Sequence, residues 1–318
     1  MNTEQLTPPD RPTLYFVGVT TGQSSIMKVF PRWAEALQID VDIRGIDLPL
    51  HAPPADYCRT VEFLRSTDLA SGALVTTHKL DLYSAARQMF DYVDPLAALM
   101  SEVSCISKRG DQLRCHAKDP ITGGLAVDAI MPAGAWAGND SEALLIGAGG
   151  STVAITWHLM QPARGADRPS RIHVSNRSQA RLDHITDVHR TLDVDVPIEY
   201  HLCAEPSDND AVVGSLPSGS LVVNATGLGK DAPGSPITAA VGFPDRAIAW
   251  DLNYRGDLIF LDIALAAPAE KRIRVEDGWI YFMHGWLQAI AEIFDIAIPT
   301  SGPEFDRLSA LAGGAPPR

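Results

Sequence analysis

Residues 143–160 read ALLIGAGGSTVAITWHLM, and the fold turns on this stretch. Ala143 to Ile146 form a short, wholly apolar run, as expected of a strand buried on both faces. Gly147, Gly149 and Gly150 follow. They permit a tight turn and leave the backbone N–H groups at the start of a helix bare to a pyrophosphate, with Ala148 and Ser151 in the same corner. Val153 to Met160 carry the helix, and Ala154 stands where the dinucleotide fingerprint wants a third small residue for helix-to-strand packing. A glycine-rich turn with no ligand has the same spacing, so the next strand must separate the two readings.

That strand is RIHVSNRS, which follows a polar loop (164–170) and ends in Asn176, Arg177 and Ser178, with Arg181 one helical turn further on. A dinucleotide fold that takes NAD places a carboxylate here for the ribose 2′-hydroxyl, whereas a 2′-phosphate calls for cations and hydroxyls. No carboxylate lies between Ile172 and Arg181, and two arginines do. Cations at a helix start oppose its dipole and need a reason. The reading is therefore NADP rather than NAD.

The 318 residues suffice for two domains, and 46% hydrophobic with 20% charged residues is ordinary for a globular enzyme. A net charge of −13 argues against nucleic acid or an anionic membrane as partner and leaves room for a local cationic pocket. No apolar run approaches the length of a membrane span. The start, MNTEQLTPPDRPT, lacks the regions of a secretory signal, so a cytoplasmic location is expected. Cys58, Cys105, Cys115 and Cys203 are scattered and read as free thiols. The histidines show no ligand spacing along the chain, His184 and His189 included, so no metal is expected.

In chain order, TLYFVGV (Thr13 to Val19) is a strand, and TTGQSS leads into a helix that Ser24 or Ser25 could cap, although the same hydroxyls could bind a substrate carboxylate. A second strand, QIDVDIRGIDL, and a helix, YCRTVEFLRS, precede a third strand that breaks into a helix at Thr77 and leaves Lys79, electrostatically misplaced, in the first turn. A hairpin turning at Arg109 to Asp111 leads to Asp119 in a loop before another helix. Beyond the glycine corner come the strands PIEYHLC, SLVVNAT and AIAWDLNY, and then a long apolar helix from Asp277 expected to pack back on the first domain. Alternating strands and helices predict an α/β protein with a parallel sheet covered on both faces. Ligands of such sheets bind at the carboxyl ends of strands, where Asn224, Ala225, Thr226 and Gly227 lie.

Together these pieces resemble the shikimate dehydrogenase family over nearly the whole chain. YFVGVTTGQSS, VTTHK, GAGGSTVA, SNRSQAR, NATGLG, WDLNY and DGWIYF occur in the family's order and spacing. The resemblance implies two domains: a substrate and catalytic domain over residues 1–130, completed by 277–318, and a Rossmann-type NADP-binding domain over 131–276. It implies an NADP-dependent oxidoreductase, monomeric or homodimeric, with Lys79 and Asp119 as catalytic residues. Leu252 and Gly278 would join the cofactor's neighbours, and Ser24, Ser25, Thr76, Ser104, Tyr254 and His284 would surround a small-molecule substrate. The chemistry is sensible, since loss of hydride from a secondary alcohol requires a base for the hydroxyl proton.

The substrate shell departs from the family pattern. The two serines are adjacent rather than separated by one residue, Ala73 or Leu74 falls where an asparagine is expected, Ala117 and Lys118 replace an N-T pair, and the late glutamine falls on Gly285 beside His284. Lost donors imply a changed ligand, because each unpaired polar group costs about 1–3 kcal/mol. Lys118 and His284 are candidate replacements, although His284 reads first as a core or boundary histidine on an apolar helix. Quinate-like acids, another alcohol or ketone, a methylenetetrahydrofolate dehydrogenase-like activity and a non-catalytic NADP sensor remain as alternatives.

Overall fold

The structure, a computed structural model, describes residues 6–192, 195–230 and 232–313. Two compact units divide the chain. One comprises the residues up to Lys118 together with those from Gly285, and the other is the continuous stretch Asp119–His284. The chain thus passes between them twice, once before Asp119 and once inside the helix Trp279–Phe294.

The first unit is built on a mixed six-stranded sheet. Its strands are β1 (Thr13–Gly18), β2 (Asp42–Asp47), β3 (Ala70–Val75), β4 (Tyr92–Val93), β5 (Cys105–Arg109) and β6 (Gln112–His116), in the order β2-β1-β3-β5-β6-β4. β1 pairs in parallel with β2 and β3, whereas β5 and β6 form the expected antiparallel hairpin, with Gly110 at φ +58 in its turn. Tyr15, Val17, Ile46 and Val75 bring the sheet into one core with helix Pro54–Ser66, through Tyr57, Val61 and Leu64. The C-terminal helix Pro303–Leu311 packs on helix Ile26–Ala36, where the buried Trp33 indole donates to the Leu308 carbonyl at 2.7 Å.

The second unit carries a wholly parallel sheet of β7 (Ala143–Ile146), β8 (Ile172–Asn176), β9 (Ile198–Leu202), β10 (Leu221–Asn224), β11 (Ile248–Asp251) and β12 (Arg274–Glu276). Their order, β12-β11-β10-β7-β8-β9, reverses direction between β7 and β10, as in a doubly wound nucleotide-binding sheet. β7 is buried along its whole length. Ala143 and Leu145 face a core shared with Val174, Val223 and Trp250, and Leu144 and Ile146 face another with Val222 and Ala249. Covering on both faces is why β7 shows no alternation. Three local expectations shift: Asp119 opens helix Asp119–Ile130 rather than lying in a loop before it, the third helix starts at Lys79 and not Thr77, and β12 follows where no strand was expected.

Candidate active site

In the second unit the site is assembled at the carboxyl ends of β7, β8, β10 and β11. Gly147 takes φ +120 and donates its N–H to the Ser175 carbonyl at 2.8 Å, and a Cβ added to it would lie 2.8 Å from the Ala225 carbonyl oxygen. The glycine is thus required twice, by conformation and by the closeness of the loop after β10. Gly149 precedes helix Gly150–Leu159, whose N-terminus has no side-chain cap and no acidic residue in its first turn. Ala148 is buried under the turn, and the Tyr281 hydroxyl donates to Ser151 Oγ at 3.0 Å. Ala154 is buried, and Gly123 of helix Asp119–Ile130 lies so near that an added Cβ would sit 3.8 Å from the Ala154 methyl.

At the end of β8, Asn176 Oδ1 accepts the Ser178 N–H at 2.9 Å and turns the chain into helix Gln179–Thr191, which has no acidic residue in its first turn. Arg177 and Arg181 are exposed there, and among the described residues neither guanidinium has a hydrogen bond or ion pair. Two unneutralised cations on the positive end of a helix form a locus for a dianion.

A buried network fixes the ends of β10 and β11. Asn224 Nδ2 donates to Asp251 Oδ2 at 3.0 Å, and Asn224 Oδ1 accepts from the Thr226 N–H and hydroxyl at 3.0 and 2.6 Å. The Asn253 N–H donates to Asp251 Oδ1 at 2.8 Å, while its side-chain amide donates to the Thr226 and Leu228 carbonyls. Burial pushes the Asp251 carboxyl up to about 6 against the opposing pull of the Asn253 and Asn224 donors. The Leu252 N–H donates to the Asn224 carbonyl, and the Gly278 N–H to that of Asn253. The loop Asn224 to Gly227 is therefore held by Asp251 and Asn253, whose part the sequence reading missed. A polar pair at the end of an otherwise apolar strand was the available signal. Tyr254 lies against Phe282 and Trp279, with ring centroids 4.7 and 5.7 Å apart. His284 is buried, which pushes its imidazole down to about 4 and keeps it neutral near pH 7. Asp119, also buried, begins the helix that packs on the glycine-turn helix.

The first unit holds the other predicted residues. Thr21 donates both its N–H and its hydroxyl to Asp47 Oδ1 at 2.7 Å and so shapes the loop before Ser24 and Ser25. Ser25 occupies the cap position of helix Ile26–Ala36 without using its hydroxyl, and neither serine hydroxyl has a hydrogen-bond partner among the described residues. After β3 the Thr76 N–H donates to the Val17 carbonyl, Thr77 is forced to φ +63, and Lys79 opens helix Lys79–Ala86. A β-branched residue in that conformation stores strain of about 1–3 kcal/mol two residues before the lysine. The Lys79 carbonyl accepts the Val103 N–H at 3.1 Å, which ties the helix start to the segment leading into β5.

Two candidates have other employment. Ser104 is buried, and its Oγ accepts the Lys118 N–H at 2.6 Å. Lys118 Nζ donates to Glu292 Oε2 at 2.6 Å. Burial raises the Glu292 carboxyl, but the Lys118 hydrogen bond and the charges of His116, Lys118 and Arg109 outweigh this and hold it below its ordinary range. Lys118 is accordingly a partner of Glu292, which the sequence reading did not foresee.

Comparison with models of known families finds no match. Among sequence relatives, the chain is 24% identical over 281 residues to the shikimate dehydrogenase (NADP+) of Afipia carboxidovorans, covering 86% of this chain and 88% of that one. It is 29% identical over 235 residues to that of Rhodopseudomonas palustris, covering 73% and 74%. The chain is a homologue of the shikimate dehydrogenases. Solved structures agree in fold. Quinate dehydrogenase from Corynebacterium glutamicum, in complex with NAD, superposes with a TM-score of 0.72 at 18% identity, covering 95% of this chain and 99% of that one. Shikimate 5-dehydrogenase from Thermus thermophilus, in complex with NADP(H) and shikimate, gives 0.68 at 21% identity, covering 94% and 99%. Relative to these shikimate and quinate dehydrogenases, the two units described above account for essentially the whole shared fold. Among the described residues no helix is long and apolar enough to cross a membrane.

Proposed function

We propose that this chain is an NADP-dependent oxidoreductase that interconverts a shikimate-like cyclic hydroxy acid and its ketone. The observation that carries the reading is the pair of unpartnered guanidinium groups, Arg177 and Arg181, at the end of the strand beside the glycine corner. The residues suit the cofactor: an uncapped helix N-terminus, with open space where a Cβ at Gly149 would stand, accepts a pyrophosphate, and the arginines accept a 2′-phosphate. When bound, NADP supplies the hydride acceptor. Lys79 Nζ takes the proton of the substrate hydroxyl as the C–H bond gives up its hydride, and in the reverse direction the ammonium returns that proton to the forming alkoxide. Asp119 serves as the acidic partner that sets the lysine for this exchange, and Ser24, Ser25 and Thr76 offer hydroxyls to the substrate.

A family member with a different ring acid, quinate-like or another alcohol, is favoured by one specific set of facts. Ala73, at the expected asparagine, is fully buried in the core, Ser104 is engaged by backbone, and Lys118 is engaged by Glu292. A panel of cyclic hydroxy acids and polyols, read at the nicotinamide absorbance band, separates these substrates. Lys79→Ala is expected to lower kcat by about 10²–10⁴-fold while the NADPH Kd changes less than about threefold. Equal loss of both quantities would sink the assignment of Lys79 as base. Tight NADPH binding with no turnover on any compound would instead make the protein a sensor.

A further inference from the structure

We infer that His173, Glu199 and His201 form a binding site for one late first-row divalent cation, with Zn2+ the natural occupant, at the outer edge of the second sheet. The parallel register pairs His173 of β8 with Glu199 of β9, and His201 lies two residues beyond Glu199, so all three side chains leave the same face of the sheet. Their alternates, Ile172, Val174, Ile198 and Tyr200, turn to the core on the other face.

The ligand atoms converge. His173 Nδ1 is 2.9 Å from His201 Nε2, and Glu199 Oε2 is 3.7 Å from His173 Nδ1 and 4.0 Å from His201 Nε2. Metal–ligand bonds of about 2.0–2.1 Å in a tetrahedron place such atoms about 3.3 Å apart. Shifts of a few tenths of an ångström therefore suffice, with the cation replacing the hydrogen now shared by the two imidazoles. The surroundings are also those of a metal site. His173 is buried, and its other nitrogen, Nε2, lies 2.8 Å from Glu142 Oε2, the carboxylate–histidine arrangement that fixes a ligand's tautomer. Arg171, two residues before His173 on the same face, bonds Glu199 Oε1 and lies 3.6 Å from Glu142 Oε1. That leaves Glu199 Oε2 directed to the imidazoles.

Two imidazole nitrogens and one carboxylate oxygen select Zn2+ or its neighbours over Mg2+ and Ca2+, which take oxygen. Glu199 and His201 are partly exposed, which leaves an entry path and a fourth position for water. The cluster is distinct from the glycine corner, because His173 is the second residue of β8 whereas Gly147 and Asn176 lie at carboxyl ends. A cation here would bind the outermost strand, β9, to β8. The spacing along the chain hides the site: Glu199 and His201 are close in sequence, but the third ligand comes from another strand.

The test uses the untagged full-length chain after chelation, titrated with Zn2+ by calorimetry and with Co2+ by visible absorbance. One equivalent should bind, with the intense visible bands of tetrahedral Co2+ and a higher Tm. His201→Ala and Glu199→Gln should each weaken Zn2+ by at least about 100-fold and remove the Co2+ bands, and Glu142→Gln should weaken it by about 10-fold or more. Circular dichroism and NADPH affinity should remain those of the parent, which separates loss of the site from misfolding and from the cofactor reading. Absence of stoichiometric binding, or equal affinity in the parent and His201→Ala, would overturn the inference.

Discussion

Arg177 and Arg181 make a sharp claim at the level of single residues, because nothing else in the described structure uses their charge. Replacing either by alanine should weaken NADPH by about tenfold, near 1.4 kcal/mol for a charge-assisted contact, and leave NADH within about twofold. Fluorescence titration of both nucleotides checks this, and a matched loss for NADH would place the arginines elsewhere in the binding scheme. Lys118 makes the opposite claim. Lys118→Ala should cost about 1–2 kcal/mol of stability by leaving the half-buried Glu292 to Arg109 and His116 alone, while KM for the substrate stays unchanged. Denaturant melts and steady-state kinetics read the two halves. The glycines and arginines were legible in the sequence because their chemistry is local, whereas the engagement of Lys118 was not, since its partner lies 174 residues away.

Elements buried on both faces announced themselves, and short or polar ones did not. β7, β10 and β11 are apolar runs ending in polar residues, β8 alternates Ile172, His173, Val174 and Ser175, and each lies within the stretch expected for it. β12 has three residues, two of them charged, too few to display a period. Helix Pro206–Ser215 is rich in serine, aspartate and asparagine, which blur its apolar period; its signature was Asp208, whose carboxylate accepts the Glu205 N–H three residues before it. The turn after β11 is the element on which substitution should act most strongly. A Cβ at Gly278 would meet the Leu252 carbonyl oxygen at 2.0 Å, and backbone yields less readily than a flexible side chain. Gly278→Ala should therefore cost about 2–3 kcal/mol in a urea melt and weaken NADPH, because the displaced turn also carries Asn253. A variant as stable as the parent would show that the turn relaxes freely.

Across the whole molecule, burial of neutral imidazoles sets the response to acid. His189 and His284 are both pushed down to about 4 by burial, whereas in the unfolded chain they accept a proton near 6.5. Between those values the unfolded state binds more protons, so stability falls as pH drops from about 6.5 towards 4, by on the order of a few kcal/mol for each group. Asp251, raised to about 6, works in reverse: the folded state holds its proton more tightly, so this group's contribution declines as pH rises from about 4 to 6. Two imidazoles outweigh one carboxyl, and the urea midpoint should fall on acidification across this range, with a shallower slope in His189→Asn. A midpoint that rises instead would mean that these histidines ionise without penalty. The alternation of runs and turns made the α/β class and a parallel sheet readable, but the order of the strands was not, and the division of the chain was drawn by contacts that no local pattern encodes. Its consequence concerns biosynthesis. As the polypeptide emerges from the ribosome, Asp119–His284 is complete before Leu308 exists to receive the Trp33 indole, so the interrupted unit must wait, half-made, for its last helix.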